Sequence, residues 1–474
     1  MTSAPTPLEQ LAAFVAGVTY ERLPADVVLS VKHRVLDTVG LCLAATPLDT
    51  SVQAVRLARA WGGPPQAAVI GHDDRLAASG AAFANGVLAH SLDFDDTHLP
   101  SVLHPSASIV PAVIAAAEET AAPPSAAIAA AAAAYEVCIR TGMAAYDRAL
   151  GNSVFFERGW HATSICGTLA AAAAAAKLYG LSAAGIGHAI AIAASTSAGI
   201  IEANRAGGSV KRLHCGWAAH AGLIAAQAAR AGFTGPASVF EGRFGFYQAF
   251  CGGIAAPEEL TRGLGASWCV PDVFYKPYPA NHFTHAGIDA ALCVRRQIAS
   301  SDEVVDAELA VATPTLRTIA EPRESKIRPQ SGYHAQFSGP FTVAAALLGG
   351  GGLGLWLDDF TDAHVRDPRY QALAARVRCI ASAECDAIFP NQFPAVLTVT
   401  LADGRRIVEK VLANRGGPGN PLSEAELTAK FRANAGRALD EAAAVRLANA
   451  IVTLEARPLE DTLSLARPSP AARV

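Results

Sequence analysis

Apolar residues recur every three or four positions through the first half of the chain, the period of helices that turn one face inward. The first such segment opens at Thr6-Pro7-Leu8-Glu9, where Thr6 is placed to cap, Pro7 suits the first helical position and Glu9 completes a capping box ahead of Leu11 and Val15. A second opens at Pro24, with Val27, Val28, Val31, Val35 and Val39 at helical spacing, so periodicity argues for helix against the β preference of valine. Alanine-rich runs at 107–118, 126–137, 168–177 and 218–230 are strong helix formers whose small side chains let neighbouring axes approach closely. Together these segments predict an all-helical unit over residues 1–273.

The pattern then changes, because Pro271, Pro277 and Pro279 interrupt the chain and Glu308 to Thr315 reads as a strand. Residues 395–412, AVLTVTLADGRRIVEKVL, alternate apolar and polar, turn at Asp403-Gly404 and alternate again, which predicts a β-hairpin. Residues 274–418 are therefore expected to form an α+β domain, with the Gly- and Pro-rich stretch 415–421 as a linker. Ser423-Glu424-Ala425-Glu426 is a further capping box, starting helices within 419–474 that rejoin the helical domain. The expected fold class is mainly α: a large all-helical domain from both termini and a smaller inserted α+β domain.

Hydrophobic residues make up 51% of the chain and charged residues 17%, with a mean hydropathy of +0.26, a balance that fits extensive helix–helix burial or a subunit interface. The formal net charge of −4 supplies no basic field for nucleic acid or an anionic membrane, so an anionic ligand must be drawn by local Lys and Arg. Gly180 to Ile201 is 22 residues without Asp, Glu, Lys or Arg, long enough to cross a bilayer. It is built of Ala, Gly and Ser around His188, however, and reads as a helix buried in a bundle rather than a membrane span. The nine cysteines are scattered without CxxC spacing and read as buried thiols. With an N-terminus that lacks a positive region followed by an apolar core, they predict a reducing, cytoplasmic setting.

The densest polar cluster lies in an apolar neighbourhood, HSLDFDDTHLPSVLHPSASIVPAV at 90–113. A helix over 80–97 would place His90, Asp93 and Thr97 on one face, offering imidazole, carboxylate and hydroxyl to a substrate. The competing reading has the aspartates capping and solvating a helix end, with Pro100 and Pro105 in the loop behind. His161, in ERGWHAT at 157–163, falls near a helix start, where free N–H groups and the dipole favour an anion and a neutral imidazole; otherwise it packs beside Trp160. Lys211 in GGSVKRLH and Lys276 in YKPYP stand in Gly- or Pro-rich turns. Converging, they would suit a ligand with two or more carboxylates; by spacing alone they are surface charges. His214, His220, His282, His285 and His334 read singly as structural or surface residues, with His282 and His285 distinguished by their place after the prolines.

Four blocks, DFDDTH with HPS at 104–106, GWHATSICGTLAAAAAAAKLYGLS at 159–182, VKRLHCGWAAHAGLIAAQAARAGFTGP at 210–236 and KPYPANHFTHAGIDAA at 276–291, resemble the MmgE/PrpD family in order and spacing through nearly the whole chain. That family includes 2-methylcitrate dehydratase, cis-aconitate decarboxylase and iminodisuccinate epimerase. The resemblance implies a helical domain from both termini, an inserted α+β lid, a homodimer, a site between the two domains, and no metal or organic cofactor. It also implies that Asp93, Thr97, His104, His161, Lys211 and Lys276 line the pocket. GYHAQFSGPF at 332–341 resembles the lid segment, which would bring Tyr333 and His334 near it. The stretch between Thr97 and His104, and Asn281-His282, depart from relatives and are expected to select substrate.

The family's activities share a carbanion or enolate beside a carboxylate, so a base, an acid and cationic clamps are needed. Asp93, His104, His161 and Lys211 are the expected catalytic residues: Lys211 as a clamp, the histidines exchanging protons, Asp93 orienting one of them or acting as base. Thr97, Lys276, His282 and Tyr333 are expected to bind a small di- or tricarboxylate. Dehydration of the 2-methylcitrate type is the leading expectation, with decarboxylation and epimerisation as alternatives and a non-catalytic binding protein as the reading from another class. The DFDD run alone would also suit a magnesium–diphosphate site, but no second metal motif accompanies it and the hairpin domain does not fit.

Overall fold

A computed structural model describes residues 4–203 and 207–468. Helix accounts for 57% and strand for 10%, so the chain is mainly α. It divides into two compact units, Met1–Val273 with Phe431–Val474, and Phe274–Lys430.

In the first unit, the capping box at Thr6 forms as its residues dictate: Glu9 N donates to Thr6 Oγ1 at 3.2 Å and Thr6 N to Glu9 Oε2 at 2.7 Å, opening the helix Pro7–Gly17. The helix Ala25–Ala45 follows Pro24 and buries Val27, Val31, Val35 and Val39, so burial of one face outweighs the reluctance of β-branched residues to be helical. The alanine runs lie in the helices Ser106–Thr120, Pro124–Ala144, Ala162–Leu178 and Val210–Arg230. Gly180 to Ile201 contains the helix Ala183–Thr196, 14 residues long. One described helix, Pro124–Ala144, is long and apolar enough to cross a membrane, and 89% of its apolar window is buried inside the protein. Two antiparallel pairs of two residues each, at Ala67–Ala68 with Arg75–Leu76 and Tyr146–Asp147 with Asn152–Ser153, interrupt the otherwise helical unit.

Glycine sets how close the central helices come. A Cβ on Gly86 would lie 2.7 Å from the Cα of Gly216, and one on Gly216 would overlap the carbonyl oxygen of Phe83, so the helices Ala78–His90 and Val210–Arg230 meet backbone to backbone. Gly222 does the same against the helix Ala162–Leu178, its Cβ position 2.8 Å from Ala172 N. Gly216→Ala is expected to cost about 1–3 kcal/mol through this overlap, although alanine is the better helix former. Gly17→Ala, where nothing lies within 4 Å, is the control. Urea midpoints at constant slope check it; equal midpoints for the two variants would remove the steric account.

The C-terminal segment completes this unit. Phe431 is fully buried, with its ring 3.0 Å from where a Cβ of Gly40 would be, and the helix Glu441–Val452 packs along Ala25–Ala45.

The second unit is built on a four-stranded sheet in the order Val377–Ala381, Val304–Val311, Ala395–Leu401, Arg406–Val411, the first pair parallel and the others antiparallel. The expected hairpin is there, turning at Gly404 with φ 86°. The strand expected at 308–315 runs instead over Val304–Val311, and Pro314 belongs to a 3-10 turn at Thr313–Thr315, since proline has no N–H for the ladder. The helices His285–Arg295 and Gly339–Leu348 bury Ile288, Ala291, Phe341 and Val343 with Leu309, Leu397 and Val399 of the sheet.

The stretch 415–421 is packed rather than free. Tyr275 N donates to Gly416 O at 2.9 Å, Arg415 to the Tyr278 hydroxyl at 2.9 Å, and a Cβ on Gly417 would strike the Phe274 ring. The second unit accordingly extends to Lys430 rather than ending at 418. The Ser423 capping box forms, with Glu426 N donating to Ser423 Oγ at 3.2 Å and Ser423 N to Glu426 Oε2 at 2.7 Å. The nine cysteines are all free thiols.

Candidate active site

The helix Ala78–His90 stops at His90, with Ser91 as its C-cap, so His90, Asp93 and Thr97 do not share a helix face as the spacing suggested. Asp93 adopts φ 52°, a left-handed conformation that aspartate tolerates better than most residues, and it turns the chain out of the helix. A small hairpin follows: His98 N donates to Leu103 O at 2.8 Å, Leu103 N to His98 O at 3.3 Å, and His98 Nδ1 lies 2.6 Å from Ser101 Oγ. The hairpin folds the chain back so that His104 Nδ1 comes within 3.3 Å of Thr97 Oγ1, and His104 N donates to Thr163 Oγ1 at 3.1 Å. Loop geometry, not helical periodicity, assembles this cluster.

The three buried aspartates take three different partners. Lys211 Nζ donates to Asp93 Oδ1 at 3.3 Å. Asp95 Oδ2 lies 2.7 Å from His90 Nδ1 and 4.0 Å from His104 Nδ1. Asp96 pairs with Arg34 at 3.3 Å and accepts from Ser106 N at 3.2 Å and from the Ser106 hydroxyl. Burial pushes Asp96 up to about 6, outweighing the opposing pull of Arg34 and Ser106. Asp96 therefore holds the loop to the helix Ser106–Thr120, a structural task. His90, Asp95 and Cys215 bring ligand-type atoms within 4.8 Å of one another, a donor set of the zinc type. Burial raises the Cys215 thiol well above its usual range, so a cation bound there would have to displace that proton.

Four imidazoles stand in a row beside these carboxylates: ring centroids are 5.3 Å apart for His104 and His90, 5.9 Å for His90 and His161, and 5.0 Å for His161 and His214. His161 is the N-cap of the helix Ala162–Leu178, as its position suggested, and its Nδ1 lies 2.9 Å from Nδ1 of His214. Burial foremost, then the neighbouring His90, His214, Lys211 and His104, hold His161 well below the ordinary imidazole range. Burial, with His90 and Lys211, lowers His214 to about 4. Both rings are thus neutral at neutral pH, by desolvation before any dipole. His104 Nδ1 lies 2.8 Å from the Asp96 carbonyl, which only accepts, so Nδ1 bears a proton.

Lys211 lies in the first turn of the helix Val210–Arg230 rather than in the glycine turn before it. Its ammonium stands where the peptide dipole favours an anion, a place Asp93 now occupies and a substrate carboxylate could share. His214, three residues on, shares that helix face; this spacing was available in the sequence, whereas the pairing of Asp95 with His90 was not.

Lys276, His282 and Tyr333 belong to the second unit. Lys276 is buried, and the His282 ring sits among Phe274 at 5.8 Å, Phe393 at 5.6 Å and His285 at 4.6 Å. His285 opens the helix His285–Arg295, its Nε2 on Ala280 O at 3.0 Å. Asn281 N donates to Gln336 O at 2.8 Å, which ties this stretch to the short helix Gly332–Ala335 bearing Tyr333 and His334, both exposed.

The imidazole charges set a pH dependence. His214 and His98 are lowered from 6.5 to about 4, and His161 is held well below 6.5, so their contribution to stability is present above 6.5 and lost as pH falls toward 4. Asp96 and Asp289, raised from 3.8 to about 6, act in the opposite sense below pH 6. His72 and His220 are lowered as well, and Glu118, Glu136 and Asp272 are raised, so the two sets oppose one another and the expected result is read from a single group: between pH 6.5 and 4 the melting temperature of His98→Gln falls less, relative to its value at pH 7, than that of wild type. Parallel melting curves for the two proteins contradict this.

Residues 9–258 match the MmgE/PrpD N-terminal domain and residues 278–456 the MmgE/PrpD C-terminal domain. Cis-aconitate decarboxylase of Homo sapiens is 30% identical, covering 98% of this chain and 95% of that protein. The cis-aconitate decarboxylase of Mus musculus is 28% identical, covering 97% and 92%, and that of Aspergillus terreus 26%, covering 94% and 92%. Both domain matches fall in order on a chain whose relatives align over nearly their whole length, and the protein is an enzyme of the MmgE/PrpD family.

Proposed function

We propose that this enzyme is a cofactor-independent lyase that decarboxylates an unsaturated tricarboxylate of the cis-aconitate type. The observation that carries this reading is the row of four imidazoles, three of them buried, beside the Lys211–Asp93 pair, a proton-exchanging wall next to an anion anchor. The names of the relatives, all decarboxylases over nearly the full chain, move decarboxylation ahead of the dehydration expected from sequence. In this reading the second unit, inserted in sequence into the helical one, is the family's α+β lid, and Lys276, His282 and Tyr333 serve substrate binding.

The chemistry asks for little beyond what these residues offer. The bond from the methylene carbon to its carboxylate breaks and CO2 leaves. Its electron pair forms a new terminal double bond, and the old double-bond pair moves to the carbon beside a remaining carboxylate, where one proton is delivered. A cation on the carboxylates that stay and one acid suffice; dehydration would need a base at carbon and an acid at the leaving hydroxyl as well. Lys211 is the anchor, shared with Asp93, and the proton, taken up from solvent, is delivered by His104 or His161.

Incubation with cis-aconitate, 2-methylcitrate and iminodisuccinate in a chelator, followed by proton NMR, tests the assignment. The expected result is replacement of the cis-aconitate vinyl signal by two terminal-methylene protons. Consumption of 2-methylcitrate alone would favour the dehydratase, loss of activity on chelation would favour a metal at His90, Asp95 and Cys215, and no turnover at all would favour a binding protein. A cytoplasmic homodimer completes the proposal; light scattering should give twice the 48.8 kDa chain mass.

A further inference from the structure

We propose that His214 is a positioning residue for His161, fixing the orientation of that ring and which of its nitrogens bears the proton. The inference rests on the lyase reading for its kinetic consequence and on geometry alone for the bond itself.

The two Nδ1 atoms are 2.9 Å apart, with rings tilted by 42°. A neutral imidazole has one N–H, so one ring donates and the other accepts, and the pair holds opposite tautomers; two imidazolium rings could not make this bond. Both backbones are fixed. His161 N donates to Gly199 O at 3.0 Å, and Ser164 Oγ, on the helix that His161 caps, donates to His214 O at 3.3 Å. The contact is therefore built into two packed helices rather than left to side-chain choice.

His90 approaches at the end of the helix Ala78–His90, His104 from the loop, and Lys211 from the same helix as His214. Each turnover consumes one proton: the proton that His161 Nε2 passes to the substrate carbon is taken up from solvent, while Nδ1 stays hydrogen-bonded to His214, so the ring returns to its starting tautomer without turning.

Two arms test this. In protein labelled with 15N-histidine, assigned with His161→Asn and His214→Asn among the 13 histidines, one ring of the pair should be protonated on Nδ1 and the other on Nε2. Both rings protonated on Nε2 would overturn the bond. In kinetics, His214→Phe should lower kcat about thirtyfold with KM within about twofold, and His214→Asn, which keeps an amide near the Nδ1 position, should recover about tenfold. Turnover of His214→Phe within about threefold of wild type, or His214→Asn no better than His214→Phe, would overturn the positioning role. If wild type turns over none of the three acids, the substrate reading fails while the 15N spectra still decide the His161–His214 bond.

Discussion

Replacing His161 with alanine is expected to lower kcat on cis-aconitate at least about 100-fold while leaving the fold intact. The two effects separate because the imidazole makes no side-chain capping bond to the helix it precedes, so its removal costs that helix no hydrogen bond. What is lost is a neutral ring in the middle of the row, with Nδ1 committed to His214 and Nε2 left to meet a ligand. A proton carrier contributes on the order of 10²–10⁴ in rate, and among the described residues His161 is the ring that contacts both His90 and His214. Steady-state kinetics with parallel melts decide it. Near-normal turnover would shift the proton to His104.

Asp96→Ala is expected to destabilise the protein by about 3–5 kcal/mol, the largest stability effect of any single change within the DFDD run. Asp96 and Arg34 have side chains 1% and 2% exposed, so removing the carboxylate takes an ion-pair partner from a buried guanidinium and also frees Ser106 N at the start of its helix. Asp93→Ala, whose partner Lys211 is 14% exposed, should cost stability far less and activity far more. The double variant Asp96→Leu with Arg34→Met should regain much of the loss, since an apolar pair of similar volume needs no desolvation. Denaturant midpoints for the three proteins check the ordering. A loss below about 1 kcal/mol for Asp96→Ala would mean that the other contacts of Arg34, the Val273 carbonyl among them, satisfy it.

How far the sequence could be read depends on the kind of signal. Helical periodicity and alanine content located the main helices, and alternation around Asp403-Gly404 located the hairpin, because both periods are local properties of the chain. The site resisted. Its loop is made by a left-handed Asp93 and a hairpin closed by His98 and Leu103, neither of which has a period, and a helix drawn through to Thr97 was the natural error. Asp93, Asp95 and Asp96 look alike in sequence, yet each has its own partner, and only packing reveals that one is structural. His214 was read as structural because a lone histidine usually is; what distinguishes it is a neighbour 53 residues away. Residues 415–421 were read as a linker because composition cannot tell a glycine needed for freedom from one needed for close approach, which is what the Phe274 ring requires of Gly417.

The helical unit is assembled from two separated stretches of chain, and this has a consequence for biosynthesis. The helix Ala25–Ala45 supplies Arg34, the partner of Asp96, and its other side is covered by Phe431 and the helix Glu441–Val452. A nascent chain that has reached residue 430 holds every histidine and aspartate of the site but not the groups that cover Gly40 and its helix. The intervening unit, one uninterrupted segment, has all of its own core by then and is free to fold during translation. The helical unit, though begun first, is finished last, and a ribosome that stops short of Phe431 releases a chain whose insert is complete while its helical unit is still open.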